Sequence, residues 1–203
     1  FGVYLGVMAG IRRGKLLDSI ITVIANLGMA TPIFWLSILC VYIFSLKLGL
    51  LPVQGFTWLS ENFSLAVKQM IMPVSILALV PMAQFARQTR SAMLEVVRQD
   101  YIRTARSKGL KERAVIFGHA LRNALIPILT LMGMQLGYMI GGSVLIEQVF
   151  VIPGMGNMLI TAILNKDYLL VQSAVFVIAA GVSLCNFAVD IAYGYIDPRI
   201  RIK

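Results

Sequence analysis

Charge is what this sequence lacks. Only 13% of its 203 residues are Asp, Glu, Lys or Arg, against 59% that are apolar, where a water-soluble domain carries about a quarter charged. That leaves too little charge to cover a water-facing surface and excludes an ordinary soluble globule. Histidine is nearly absent too. His119 stands alone, with no His-Glu-x-x-His pair and no evident buried acid–base couple, which argues against enzymatic chemistry. His119 reads as part of a helix surface. The two cysteines, Cys40 and Cys185, sit singly inside apolar runs without metal-ligand spacing and read as small hydrophobes of the packing. No Gly-x4-Gly-Lys-[Ser/Thr] run occurs, so nothing here can hold ATP by a P-loop.

Long apolar runs are what the chain has instead, with a mean hydropathy of +0.83. A helix needs about 20 residues to cross about 30 Å of hydrocarbon. Residues 20–46, 69–86 and 125–146 carry no charge, and 169–195 carries only Asp190, near its end. Residues 1–11 make half a span, followed by Arg12, Arg13 and Lys15. Basic residues that follow an apolar stretch are the wrong way round for a signal peptide. The chain opens in mid-run without Met, so an N-terminal part is expected to be left out. The expected fold is all-α: a polytopic transmembrane helical bundle of about five spans, one of them partial.

Orientation follows from the basic residues. Segments 12–15, 87–122 and 199–203 hold 15 of the 18 Lys and Arg, and successive spans deliver all three to the same side. The positive-inside rule makes that side, and with it the C-terminus, cytoplasmic. The net charge of +9 is then topological and is no sign of nucleic acid. Outside, 47–68 reads as a loop with an interfacial Trp58. Segment 147–168 opens with a Pro153-Gly154-Met155-Gly156 turn, and its stretch 158–164 is too short to span and reads as a helix at the outer face.

Within the runs, Gly133, Gly137 and Gly141 recur every four residues, a spacing that lets helix backbones approach closely. Pro32, Pro73, Pro81 and Pro127 supply kinks or boundaries. The polar residues there are Asn26, Thr31, Gln84, Gln135 and Ser143, none ionisable; Asp190 reads as a helix-end partner. A pump or secondary transporter commonly buries a group that carries its own coupling charge, so this pattern counts against self-energised transport. Asn26, Gln135, Ser143 and Glu147 are the candidates for a translocation path or gate. The methionines scattered through the runs read as gap-fillers rather than a metal lining, and no metal-ligand cluster is apparent.

The most informative segment is 87–123, which holds 12 of the 27 charged residues. Inserting them in a membrane would cost on the order of 36 kcal/mol, at about 3 each. Leu94, Val97, Tyr101, Ala105 and Lys108 recur at helical spacing, predicting an amphipathic helix that Gly109 ends. A second helix then runs over 111–123 into the next span. Such a surface helix can be a handle for a partner protein or can lie on anionic lipid; periodicity leaves both open.

The run Asp100-Tyr101-Ile102-Arg103-Thr104-Ala105-Arg106-Ser107-Lys108-Gly109-Leu110, followed by His119-Ala120-Leu121-Arg122-Asn123-Ala124-Leu125-Ile126-Pro127, resembles the signature of ABC-importer permeases. More narrowly the chain resembles the B-type permease subunit of dipeptide, oligopeptide and nickel importers. Thr31-Pro32-Ile33-Phe34-Trp35-Leu36, Glu147-Gln148-Val149-Phe150 with Pro153-Gly154-Met155-Gly156, and Asp197-Pro198-Arg199 carry the same resemblance in the same order. The wider family's Glu-Ala-Ala-x3-Gly pattern falls on Arg103, Thr104, Ala105 and Gly109, of which only the second Ala and the Gly are kept.

The resemblance implies a permease domain over 1–203 with a cytoplasmic coupling loop at 87–123, in a bacterial inner membrane. It implies contact with an ATPase through Tyr101, Ile102, Arg103, Ala105, Lys108, Gly109 and Leu110, with Tyr101 and Ile102 filling a groove and Ala105 permitting close approach. The implied partners are a second, similar permease, two cytoplasmic ATPases that bind ATP and magnesium, an external substrate-binding protein and membrane lipid. No cofactor is expected in the chain itself. Peptide is the implied substrate, with nickel or metal–chelator complexes, or a self-sufficient channel or secondary transporter, as alternatives.

Overall fold

The computed structural model describes residues 1–11 and 14–196, all helix and connecting turns. Nine helices follow one another among the described residues. They are α1 (Gly2–Ile11), α2 (Leu16–Ala30), α3 (Ile33–Cys40, running on through a wide π-type turn at Val41–Lys47), α4 (Phe63–Val96) and α5 (Asp100–Ser107). After them come α6 (Glu112–Ala114, continued by a second π-type turn at Val115–Ala120), α7 (Leu121–Phe150), α8 (Met155–Leu164) and α9 (Tyr168–Ile196). The expected Asp197-Pro198-Arg199 match and the basic residues at 12–13 and 199–203 lie outside the described residues. So does the packing of Gly137, Gly141 and Asp190.

The apolar runs become helices, with one correction. Residues 20–46 are not one continuous helix: the chain breaks at Thr31-Pro32, where Pro32 takes the extended conformation that caps α3. Pro127 is carried inside α7, and Pro73 and Pro81 inside α4. Two helices are long and apolar enough to cross a membrane outright, α4 and the 168–189 stretch of α9, or up to five crossings if each bent helix pair counts as one. α4, with 34 residues, is about 51 Å long and outlasts a hydrocarbon core of about 30 Å. Large apolar side chains such as Phe176, Phe187 and Leu184 on α9 stand exposed along it, a surface that lipid rather than water can cover.

The chain divides into two compact units, 1–30 with 80–134 and 187–203, and 31–79 with 135–186. In the first, α1 rides along α4 with almost no space between backbones. A methyl group on Gly2 would lie 2.5 Å from the Met82 carbonyl oxygen, and one on Gly6 2.5 Å from that of Ala86 and from the Thr89 Cβ. One on Gly10 would meet the Met93 Cβ at 2.9 Å. This is small-residue helix packing, here on α1. Thr89 is fully buried beneath it. Behind it a core forms from Val7, Met93, Ile102, Val115, Ile116 and Ala120.

In the second unit, Met72 and Ile76 of α4 pack on Ile146 and Phe150 of α7, with Ile33, Leu36 and Val41 against them. The Gly55 N–H donates to the Phe150 carbonyl at 2.9 Å, pinning the 48–62 loop. An apolar groove of about 810 Å³ opens between that loop and α4, lined by Phe56, Trp58, Val67, Met70 and Ile71 among others. α7 and α8 meet at 81° across the turn at 151–154.

The α1–α4 contact makes a prediction. Gly6→Ala is expected to destabilise the protein by about 1–3 kcal/mol through overpacking. Gly181→Ala on α9, where nothing lies within 4 Å, should be neutral or stabilise slightly through helix propensity. Thermal unfolding in detergent compares the two, and equal midpoints would contradict the packing.

Candidate functional site

At the basic end of the first unit, α4 stops at Val96, three residues turn, and α5 begins. Gln99 is extended (φ −70°, ψ 149°) and caps α5. The expected single amphipathic helix over 94–108 is therefore two helices. The turn resets the register, and the inward positions of α5 are Ile102 and Ala105, not Tyr101, Ala105 and Lys108. Ile102 is completely buried and Ala105 nearly so, against the core that holds Met93, Val115 and Ile116. Of the residues expected to meet a partner, these two are withdrawn into the chain's own core. Tyr101, Arg103, Lys108, Gly109 and Leu110 stand outside, with Thr104, Arg106 and Ser107.

Gly109 ends the platform as its sequence position suggests. Its φ of +75° is a left-handed conformation, and its N–H donates to the Arg106 carbonyl at 2.9 Å. Arg106 reaches across this turn to Glu112, with Nη2 donating to Oε1 at 2.7 Å and Nε to Oε2 at 3.3 Å. The hydrogen bonds from Arg106 pull the Glu112 carboxyl below its ordinary value. The turn's support from this pair is thus complete above the ordinary glutamate range and fades as pH falls through the lowered value. On the other flank the Asn123 amide donates to the Tyr101 hydroxyl at 2.9 Å and to the His119 carbonyl at 3.1 Å. His119 itself is exposed.

A second constellation lies just outside the uncharged apolar runs. Asp18 on α2 is buried, and both its oxygens accept from Arg90 on α4, 72 positions away. Arg90 Nη2 lies 2.8 Å from Oδ2, and the Gly14 N–H donates to the same oxygen at 3.1 Å. This bidentate pairing, with the backbone donor, satisfies a carboxylate that would otherwise be unaffordable there. Asp18 and Arg90 flank the apolar runs by a few residues each, so sequence alone reads them as loop charges.

The path candidates fall in both units. Asn26 is exposed on α2 and lines a hollow of about 50 Å³ with Thr22, Arg87 and Arg90. Gln135 is buried and Ser143 half-buried, both on α7 in the other unit. Glu147, also on α7, caps α8: its carboxylate accepts the Asn157 N–H at 2.8 Å. A side chain on Gly154 would overlap the Glu147 carboxyl group, which explains glycine there. Gln148 donates to Asn157 Oδ1 at 2.7 Å, and Val151 is held at a φ of +53°. A β-branched residue in that conformation is strained, by about 1–3 kcal/mol. The Glu147-to-Gly156 motif thus builds the corner from which α8 departs. Among the described residues no group of three His, Cys, Asp or Glu could hold a metal ion.

Together these features define a polytopic helical membrane protein with a folded platform at its basic end. The sequence pattern of the family described as the binding-protein-dependent transport system inner membrane component matches residues 2–202, and the chain belongs to that family. It is 44% identical, over 99% of its length, to the di/tripeptide transport system permease protein DppB of Pseudomonas aeruginosa, covering 66% of that protein. To the dipeptide transport system permease protein DppB of Escherichia coli K12 it is 39% identical over 100% of its length, covering 66%. A putative peptide transport system permease protein of Brucella abortus is 44% identical over 98% of the chain, which covers 64% of it. The chain thus spans about two thirds of the length of these relatives. Its fold is shared with a chain of the MetNI methionine ABC transporter solved in inward-facing conformations, with a TM-score of 0.73 and 18% identity over 97% of this chain and 86% of that one.

The ion pair carries a prediction. Arg90→Ala leaves Asp18 buried without its partner and should destabilise by about 3 kcal/mol, the lower end for a broken buried pair because Arg90 is partly exposed. Asp18→Ala with Arg90→Ala together should recover part of that loss. Strictly additive effects in chemical or thermal unfolding would show that the two side chains do not interact.

Proposed function

We propose that the chain is a permease subunit of an ATP-driven importer, forming half of a translocation pathway for dipeptides or oligopeptides. The observation that carries this reading is identity of 39–44% over nearly the whole chain to relatives named as peptide transport permeases. The second half would be a similar permease, two ATPases would dock on the α5 platform, and an external binding protein would deliver the peptide. ATP and magnesium would be bound by those ATPases. The basic segments, the platform and the C-terminus would be cytoplasmic, in a bacterial inner membrane, by the positive-inside rule. α8, held at its corner by Glu147, would then lie on the outer side.

In this reading ATPase closure pushes on the outer face of α5. The push passes through Ile102 and Ala105 into α4 and the start of α7, against which they are packed. α2 follows α4 through Asp18 and Arg90. The test is uptake of a labelled dipeptide into proteoliposomes that hold the full-length permease, its second permease, the ATPases and the binding protein. Uptake is expected only with all components and ATP, and excess unlabelled peptide should abolish it while a nickel chelate should not. Uptake by the permease chain alone would overturn the reading, and competition by the nickel chelate would reassign the substrate.

A further inference from the structure

Burial on α5 separates two surfaces that sequence could not tell apart. A helix that lies on a bilayer does so by sinking its apolar face about 5–10 Å into the headgroup boundary. The apolar edge of α5 is already spent, because Ile102 and Ala105 are buried in the protein's own core. What faces outward has no stripe left to insert. It is a polar, cationic surface whose exposed apolar groups include Tyr101 at one end and Leu110 at the tip of the Gly109 turn, each 42% exposed.

The charge of that surface is one-sided. Segment 100–113 carries Arg103, Arg106, Lys108, Lys111 and Arg113 against Asp100 and Glu112. Both acids are engaged inside the segment, Asp100 facing Arg103 at 3.7 Å and Glu112 bonded to Arg106. Lys108, Lys111 and Arg113 are exposed and have no ion-pair partner among the described residues. The Arg106–Glu112 pair spans the turn that carries these three cations. An uncompensated cluster on a rigid turn complements a surface of the opposite sign, and such pairing steers association.

We propose that the Gly109 turn docks on an acidic surface of the ATP-binding subunit, with Lys108, Lys111 and Arg113 meeting its carboxylates and Leu110 filling a shallow apolar depression among them. The inference rests on the ATPase reading above and adds the chemistry of the receiving surface. It also moves the contact away from Ile102 and Ala105, whose part is to hold α5 rigid from behind.

The experiment uses the full-length permease with its second permease subunit in zwitterionic phosphatidylcholine nanodiscs, and measures binding of the cognate ATP-binding subunits between about 50 and 300 mM NaCl, a range over which exposed charges become screened. Wild-type affinity should fall several-fold across that range. The K108Q/K111Q/R113Q variant should bind about tenfold more weakly at low salt and lose most of the salt dependence. Its thermal midpoint should stay that of the wild type, and K108R/K111R should bind normally. Wild-type-like, salt-insensitive binding by the triple variant would overturn the acidic surface while leaving the ATPase reading intact. Failure of the wild type to bind the subunits at any salt would overturn the ATPase reading itself. Binding that appears only when anionic lipid is added would assign the cations to headgroups instead.

Discussion

Burial of two apolar side chains, Ile102 and Ala105, is the constraint on which the platform depends. α5 is eight residues long, too short to hold together in water on its own propensity. It is a helix because those two side chains are taken up by Met93 of α4 and by Val115 and Ile116 ahead of α7. That seating makes the exposed face rigid, aims the Gly109 turn outward, and ties any force on α5 to the two long helices behind it. A linker without such a seat could bind a partner but could not move a span.

The first unit extends the same logic from the platform into the bundle. Gly6 and Gly10 bring α1 against the backbone of α4, and Gly10 meets Met93, the residue that also supports Ile102. Asp18 and Arg90 add a directional tie between α2 and α4, which apolar packing in lipid cannot supply. Fully satisfied, the pair fixes one arrangement; with one member removed it would penalise every arrangement that keeps the other buried. In the second unit Glu147 plays a comparable part, holding α8 at its corner through the Asn157 N–H.

What sequence reveals and what it hides divide along the range of the interaction. Apolar runs announced the long helices, Gly109 announced the end of α5, and Pro153 with Gly154 announced the α7–α8 corner, because each signal is local. The register of α5 was hidden, since the turn at 97–99 has no Gly or Pro to mark it and shifts the inward face by one residue. Asp18 and Arg90 were hidden because their meaning lies in each other, 72 positions apart. The Gly2, Gly6 and Gly10 spacing of α1 was not among the sequence expectations, and nothing local marks its partner surface on α4. Glu147 was a path candidate by position alone, and the engagement of its carboxylate by the N-terminal turn of α8 was not legible.

The apolar edge of α5 is seated in the chain's own core, and its cationic face is the one proposed to meet the partner. Cysteine accessibility tests it most directly, in a background where Cys40 and Cys185 are replaced by Ala. Ile102→Cys and Ala105→Cys should resist a water-soluble maleimide in the permease alone, with or without ATP-binding subunits. Lys108→Cys and Lys111→Cys should label rapidly alone and become protected when those subunits bind. Rapid labelling of Ile102→Cys and Ala105→Cys in the lone permease, with protection only on adding the subunits, would contradict the account.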